Sequence, residues 1–347
     1  MKKAPLRFTF LPVLALMLVI PALAQQLKFA ELGGFRLQSG ETIRDCRLGY
    51  RTFGALNAEK SNAVLFPTWF TGTTKDLVAL IGPGKLVNSS KYFVVAIDAL
   101  GDGVSSSPSN SKLQPRMKFP RFTIRDMVNA ERELATRILH LSHVRAVMGI
   151  SMGGMQTFEW MVAYPDFMAK AIPIVGTPKL TAYDLLLWEA ETHAIKADRD
   201  WKDGDYTAPP EAGMRTVADI HALALQTPSY RVRQTDPKDF PKFLDSTERE
   251  TMRGFDTNNW VRQLEAMMMH DVSREFGGDV KRAAQAVKAK TVIVIGLRDH
   301  MVNPQPALEF ARLLQAPKLE SDGDCGHLVL ECDGPKINDA VARFLAE

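Results

Sequence analysis

A mostly parallel, doubly wound α/β sheet with an inserted helical cap is predicted by three features of this 347-residue chain. Short apolar runs recur along it, helical patterns separate several of them, and Gly149-Ile150-Ser151-Met152-Gly153 stands between the run Val144 to Met148 and a helical pattern. That motif is a strand turning sharply into a helix, with glycines where a side chain would meet neighbouring backbone.

The elements follow in order. Leu27 to Leu37 and Thr42 to Thr52 read as an antiparallel hairpin turned by Ser39-Gly40. Ala63 to Phe66, Tyr92 to Ile97, Val144 to Gly149, Ala171 to Val175 and Thr291 to Gly296 are runs of the kind that fill parallel strands buried on both faces. Helices over Thr123 to Leu141, Met152 to Tyr164, Pro304 to Leu314 and Pro335 to Leu345 supply the crossovers. Between about Lys179 and Val287 the strand signals stop, and Pro209-Pro210, Pro228, Pro237 and Pro241 break a polar, helix-rich stretch. Trp188, Trp201, Phe255 and Trp260 give that stretch something to bury, so it reads as a cap above the carboxyl ends of the strands. The expected organisation is an export signal over residues 1–24, core over 25–178 and 288–347, and cap over 179–287.

The export signal rests on Lys2, Lys3 and Arg7, the apolar run Phe10 to Ile20 with Pro12 and Pro21 near its ends, and the small-residue triplet Ala22-Leu23-Ala24. It implies a periplasmic or secreted protein. Cutting there removes three basic and no acidic residues, which takes the formal charge from +3 to zero. A neutral chain lacks the basic footprint that nucleic-acid binding needs, and no later segment is long and apolar enough for a stable membrane span. Cys46, Cys325 and Cys332 have no zinc-type spacing. In an oxidising compartment Cys325 and Cys332 can pair and leave Cys46 free, while small buried thiols fit the sequence equally well.

Ser151 needs a base before its hydroxyl becomes a nucleophile, and the base needs a carboxylate to fix its tautomer. In sheets of this design the acid follows a late strand and the histidine follows the acid. Asp299 stands just beyond the Thr291 to Ile295 run, and His327 lies in Asp324-Cys325-Gly326-His327 ahead of the last helix, so these two are the expected partners. Most of the other six histidines read as surface or packing residues. The expected oxyanion donors are the amides of Met152 and of Phe70, the latter in the loop Thr68 to Thr73 after the first parallel strand. Trp188, Met267 and Met268 are candidates for an apolar pocket wall. This chemistry calls for a small-molecule acyl substrate and for no cofactor or metal, and a homodimer is compatible with the sequence.

Read together, these residues resemble the homoserine O-acetyltransferase family of the α/β-hydrolase fold. The resemblance is carried by Ile81-Gly82-Pro83-Gly84-Lys85, by Phe122-Thr123-Ile124-Arg125-Asp126-Met127-Val128, and above all by Ser151-Met152-Gly153-Gly154-Met155-Gln156 with Glu159-Trp160 and Tyr164-Pro165-Asp166. Asp200-Trp201 and Phe255-Asp256-Thr257-Asn258-Asn259-Trp260 extend it into the cap. The resemblance implies an acyl-enzyme on Ser151. Two family anchors for an amino acid substrate are replaced: Ala218 aligns with an arginine that meets the substrate carboxylate, and Leu328 with an aspartate that holds its amino group. Arg215 takes the arginine's place only if the register shifts by a turn. An unpaired desolvated charge costs several kcal/mol, and an exported enzyme would not meet acetyl-CoA whereas water is always present. The expectation is therefore an exported serine ester hydrolase, with O-acyl transfer of the homoserine O-acetyltransferase type as the alternative.

Overall fold

The computed structural model describes residues 25–347. The segment read as an export signal lies outside them. Among the described residues nine strands form one sheet: β1 (Lys28–Arg36), β2 (Thr42–Phe53), β3 (Ala63–Pro67), β4 (Phe93–Ile97), β5 (Val144–Ile150), β6 (Met168–Ile174), β7 (Lys290–Thr291), β8 (Ile293–Gly296) and β9 (Lys318–Ser321). Their spatial order is β1-β2-β4-β3-β5-β6-β8-β9, with β7 also on β6. β1 and β2 pair antiparallel, β2 runs antiparallel to β4, and every later pairing is parallel.

The continuous apolar runs have a simple cause: both faces of the central strands are covered. Along β3, Val64 and Phe66 belong to one core and Leu65 to the core on the opposite face. All three are fully buried, and each such side chain contributes roughly 1.5–3 kcal/mol relative to exposure. Helices α1 (Thr74–Leu77), α2 (Ile124–Glu133) and α3 (Met152–Ala163) precede β6; α4 (Ala182–Ala197), α5 (Glu211–Leu225), α6 (Pro228–Gln234), α7 (Phe240–Gly254), α8 (Thr257–Met268) and α9 (Val280–Ala286) stand between β6 and β7. The chain closes with α10 (Gln305–Leu314) and α11 (Val329–Ala346). Ile337, Val341 and Leu345 of α11 join the same core as Val64 and Phe66, while Phe158 of α3 and Phe310 of α10 meet edge to face at 5.5 Å in the other.

Several details depart from the sequence expectation. The helix expected over Thr123 to Leu141 leaves α-helical geometry after Glu133 and continues as a π-helical turn, Leu134–Ile138. The final helix starts at Val329 rather than at Pro335, because a kink at Asp333 lets the helix pass a residue that has no N–H to donate. β9 carries no apolar run; it is an edge strand, Lys318-Leu319-Glu320-Ser321, that goes from exposed Lys318 through half-buried Leu319 and Glu320 to buried Ser321. Pro228, Pro237 and Pro241 start helical turns instead of ending them, since a first-turn residue needs no hydrogen-bonded N–H. Among the described residues no helix is long and apolar enough to cross a membrane.

Candidate active site

Ser151 occupies the single residue between β5 and α3, with φ 57° and ψ −118°. A non-glycine residue held there costs on the order of 1–3 kcal/mol, so the surroundings must enforce it. They do so at both ends: Ser151 N–H donates to Ile174 of β6 at 2.9 Å, and Met155 N–H donates to the Ser151 carbonyl at 2.9 Å. A Cβ on Gly149 would lie 2.1 Å from the Gly153 carbonyl oxygen, and one on Gly153 would lie 2.7 Å from that of Pro67. The glycines of the motif are therefore required by contact between β5, α3 and β3.

The acid and the base arrive from separate loops. Asp299 follows β8, and its Oδ1 accepts from the N–H groups of Met301 and Val302 at 2.8 and 2.9 Å. Its Oδ2 accepts from His327 Nδ1 at 2.6 Å, and Ser151 Oγ donates to His327 Nε2 at 2.8 Å. This network assigns the proton to Nδ1 and leaves Nε2 as the acceptor. His327 is held by its own N–H, which donates to the Leu225 carbonyl at the end of α5 at 2.9 Å. A Cys325–Cys332 disulfide with Cα atoms 6.0 Å apart ties the same loop to the first turn of α11. The pairing that the sequence left open is thus made, and Cys46 stays free and buried, its thiol pushed up to about 12 chiefly by desolvation.

Two amides near this group have no acceptor among the described residues: that of Met152, the residue after Ser151 at the start of α3, and that of Phe70, which lines the same cavity from the loop after β3. The Phe70 loop is pinned from both sides. Gln156 of α3 donates to the Thr68 carbonyl at 3.0 Å, and Thr71 N–H donates to Gln263 Oε1 of α8 at 3.0 Å. The Phe70 ring meets Trp260 edge to face at 4.7 Å.

Ser151 and His327 open into a cavity of about 610 Å³. Its walls are largely apolar and include Phe70, Trp188, Trp260 and Met267; Met268 packs against the core instead. Asp76, Glu250 and Glu331 also line it, and among the described residues no lysine or arginine does. Leu328 is in the lining, Ala218 is buried, and Arg215 is paired with Glu248 outside it. A register shift therefore does not bring Arg215 to the cavity.

Of the other histidines, His140, His143, His193 and His300 are exposed, and His270 is buried with Nε2 2.9 Å from the Thr177 carbonyl. His221 is different. It lines the cavity, with Nδ1 2.9 Å from Glu191 Oε1. Glu191 is fully buried and accepts a second hydrogen bond from Trp260 Nε1 at 3.2 Å. No local signal marks this pair, because its members sit 30 residues apart on different helices, α4 and α5.

Strand order, elbow and side-chain group together define an α/β-hydrolase-fold enzyme, and the chain belongs to that family: the model of the α/β-hydrolase fold matches residues 70–332. Within it the relatives include esterases and homoserine O-acetyltransferases. The chain is 34% identical over 327 residues to an ethyl acetate hydrolase of Pseudomonas veronii, covering 91% of this chain and 93% of that protein. It is 30% identical to a homoserine O-acetyltransferase of Chlorobaculum tepidum over 89% of this chain and 91% of that one. Among solved structures, an acetylester hydrolase from Corynebacterium glutamicum superposes with TM-score 0.85 at 30% identity, covering 93% of this chain and 96% of that chain.

Proposed function

We propose that this protein is an exported serine hydrolase of uncharged carboxylic esters. Ser151 Oγ attacks the ester carbonyl while His327 Nε2 takes its proton, and Asp299 holds the imidazole and stabilises its charged form. The Met152 and Phe70 amides receive the oxyanion. His327 returns the proton to the departing alcohol, leaving an acyl group on Ser151. Water then gives its proton to His327 and attacks that acyl group, and the acid leaves as Ser151 regains its hydrogen.

The observation that carries this reading is the continuous contact from Asp299 through His327 to Ser151, at 2.6 and 2.8 Å, opening on a cavity lined by no lysine or arginine among the described residues. An apolar, acid-edged cavity suits a neutral ester and offers no guanidinium or ammonium to an amino acid carboxylate. Relatives named for ethyl acetate and acetyl esters support the ester as substrate. The disulfide supports an oxidising compartment, consistent with the signal read in the sequence. O-acyl transfer draws support from the homoserine O-acetyltransferase relatives, and the absence of lysine and arginine from the cavity lining among the described residues weighs against transfer to an amino acid.

The test is acid release from ethyl acetate followed by pH-stat, with and without an added alcohol acceptor. Acid release by the wild type and none by Ser151→Ala supports the proposal. Acyl transfer to the alcohol with no acid release sinks it in favour of the transferase.

A further inference from the structure

The cap presents a second polar group to the same cavity, and the chemistry above gives it no task. His221 lines the cavity among apolar neighbours, its ring centroid 5.3 Å from that of Trp260 and 6.0 Å from that of Phe70. Its orientation is fixed from behind. Nδ1 meets Glu191 Oε1 at 2.9 Å, and Glu191 Oε2 is held by the Trp260 indole at 3.2 Å. Trp260 Nε1 can only donate, so Glu191 serves as acceptor on that side, and on the other it takes the Nδ1 proton of His221. Nε2 has no partner among the described residues, and the side chain keeps 20% of its surface exposed. A fully buried carboxylate is costly to retain, and here its hydrogen bonds go to two residues that line the substrate cavity.

We infer that His221, positioned by Glu191, is a specificity-determining residue that hydrogen-bonds a hydroxyl group carried by the ester, on its acyl or its alcohol side. This rests on the ester-hydrolase reading of the cavity. A hydroxyl is the group that satisfies Nε2 in either protonation state, donating to the lone pair or accepting from the N–H. A methyl group in its place would strip water from Nε2 and return nothing. In a cavity open to water that difference amounts to roughly tenfold or more in kcat/KM, below the limit reached when the polar group is sealed from solvent.

The experiment compares isosteric pairs: 2-hydroxyethyl acetate with propyl acetate for the alcohol side, and ethyl 3-hydroxybutanoate with ethyl 3-methylbutanoate for the acyl side. Wild type, His221→Asn and His221→Phe are assayed on all four. Asparagine can still donate to Glu191 and lacks the outer nitrogen, so it separates loss of the pocket contact from loss of the buried one. The expected result is a hydroxyl preference of about tenfold in at least one wild-type pair, reduced to near unity in both variants. A merely structural His221 would lower both members of a pair together and leave their ratio unchanged. Unchanged ratios with all four esters hydrolysed overturn the role of His221 alone; hydrolysis of none by the wild type overturns the ester-hydrolase reading with it.

Discussion

Asp299 divides its carboxylate between two tasks: Oδ1 caps its own turn at Met301 and Val302, and Oδ2 holds His327 Nδ1 at 2.6 Å. One side chain thereby orders the loop after β8 and selects the tautomer of the base. The aspartate that caps the turn after β8 and the aspartate that bonds the imidazole are the same residue here.

Asp299→Asn separates those tasks. An asparagine whose Oδ1 still caps the turn directs its NH₂ at His327, which then keeps its proton on Nε2 and cannot accept one from Ser151. The expected kcat falls by roughly 10⁴ while the thermal midpoint changes little. Steady-state kinetics and calorimetry on the same preparation check both halves; a fall of tenfold or less would show that tautomer control matters little.

Gly149→Ala tests the strained elbow. Its Cβ would fall 2.1 Å from a backbone oxygen that cannot swing away as a side chain would. The strand-to-helix turn must open, at a cost of about 2–4 kcal/mol, and Ser151 moves with it. Chemical denaturation should show that loss, together with loss of esterase activity.

Cys332→Ser tests the disulfide around the base. The bond closes a short loop with a sequence separation of 7, and loop closure of that length is worth about 2.5 kcal/mol. A lower melting temperature is expected for the variant and for reduced wild type, with no further effect of reductant on the variant. Because His327 lies inside the loop, kcat should fall alongside stability.

Glu131 gives the stability profile a pH dependence. Burial pushes its carboxyl up to about 8 from 4.5, only partly offset by the hydrogen bond from Trp160 Nε1 at 2.7 Å, and its Oε1 has no partner among the described residues. The folded state holds this proton more tightly than the unfolded chain, so the contribution is complete below pH 4.5 and is lost as pH rises through about 8. Stability from this group declines across that window by up to about 1.4 kcal/mol per pH unit. Glu131→Gln should flatten the decline, as read by urea denaturation at pH 5, 6.5 and 8; an unchanged slope would assign it elsewhere.

What the sequence made legible was what chain-local physics dictates. Ser151 is marked by its glycines because the elbow brings backbone atoms within van der Waals distance, and the β3, β5 and β8 runs are apolar because both their faces are covered. Asp299 and His327 were found by their order relative to strands and helix, and the structure brings both to Ser151. The edge strand β9 was missed because only one side of it pairs and its exposed residues stay polar. The His221–Glu191 contact was missed for a different reason. It depends on how α4 and α5 pack, and neither residue stands in a pattern that distinguishes it from an ordinary helical position.

The central claim is that His327 makes Ser151 a nucleophile, and the most direct measurement is peptide mapping after exposure to a fluorophosphonate. One covalent phosphonyl group is expected on Ser151 of the wild type, with labelling slowed by orders of magnitude in His327→Ala. No adduct on Ser151, or labelling equally fast without the imidazole, would contradict it.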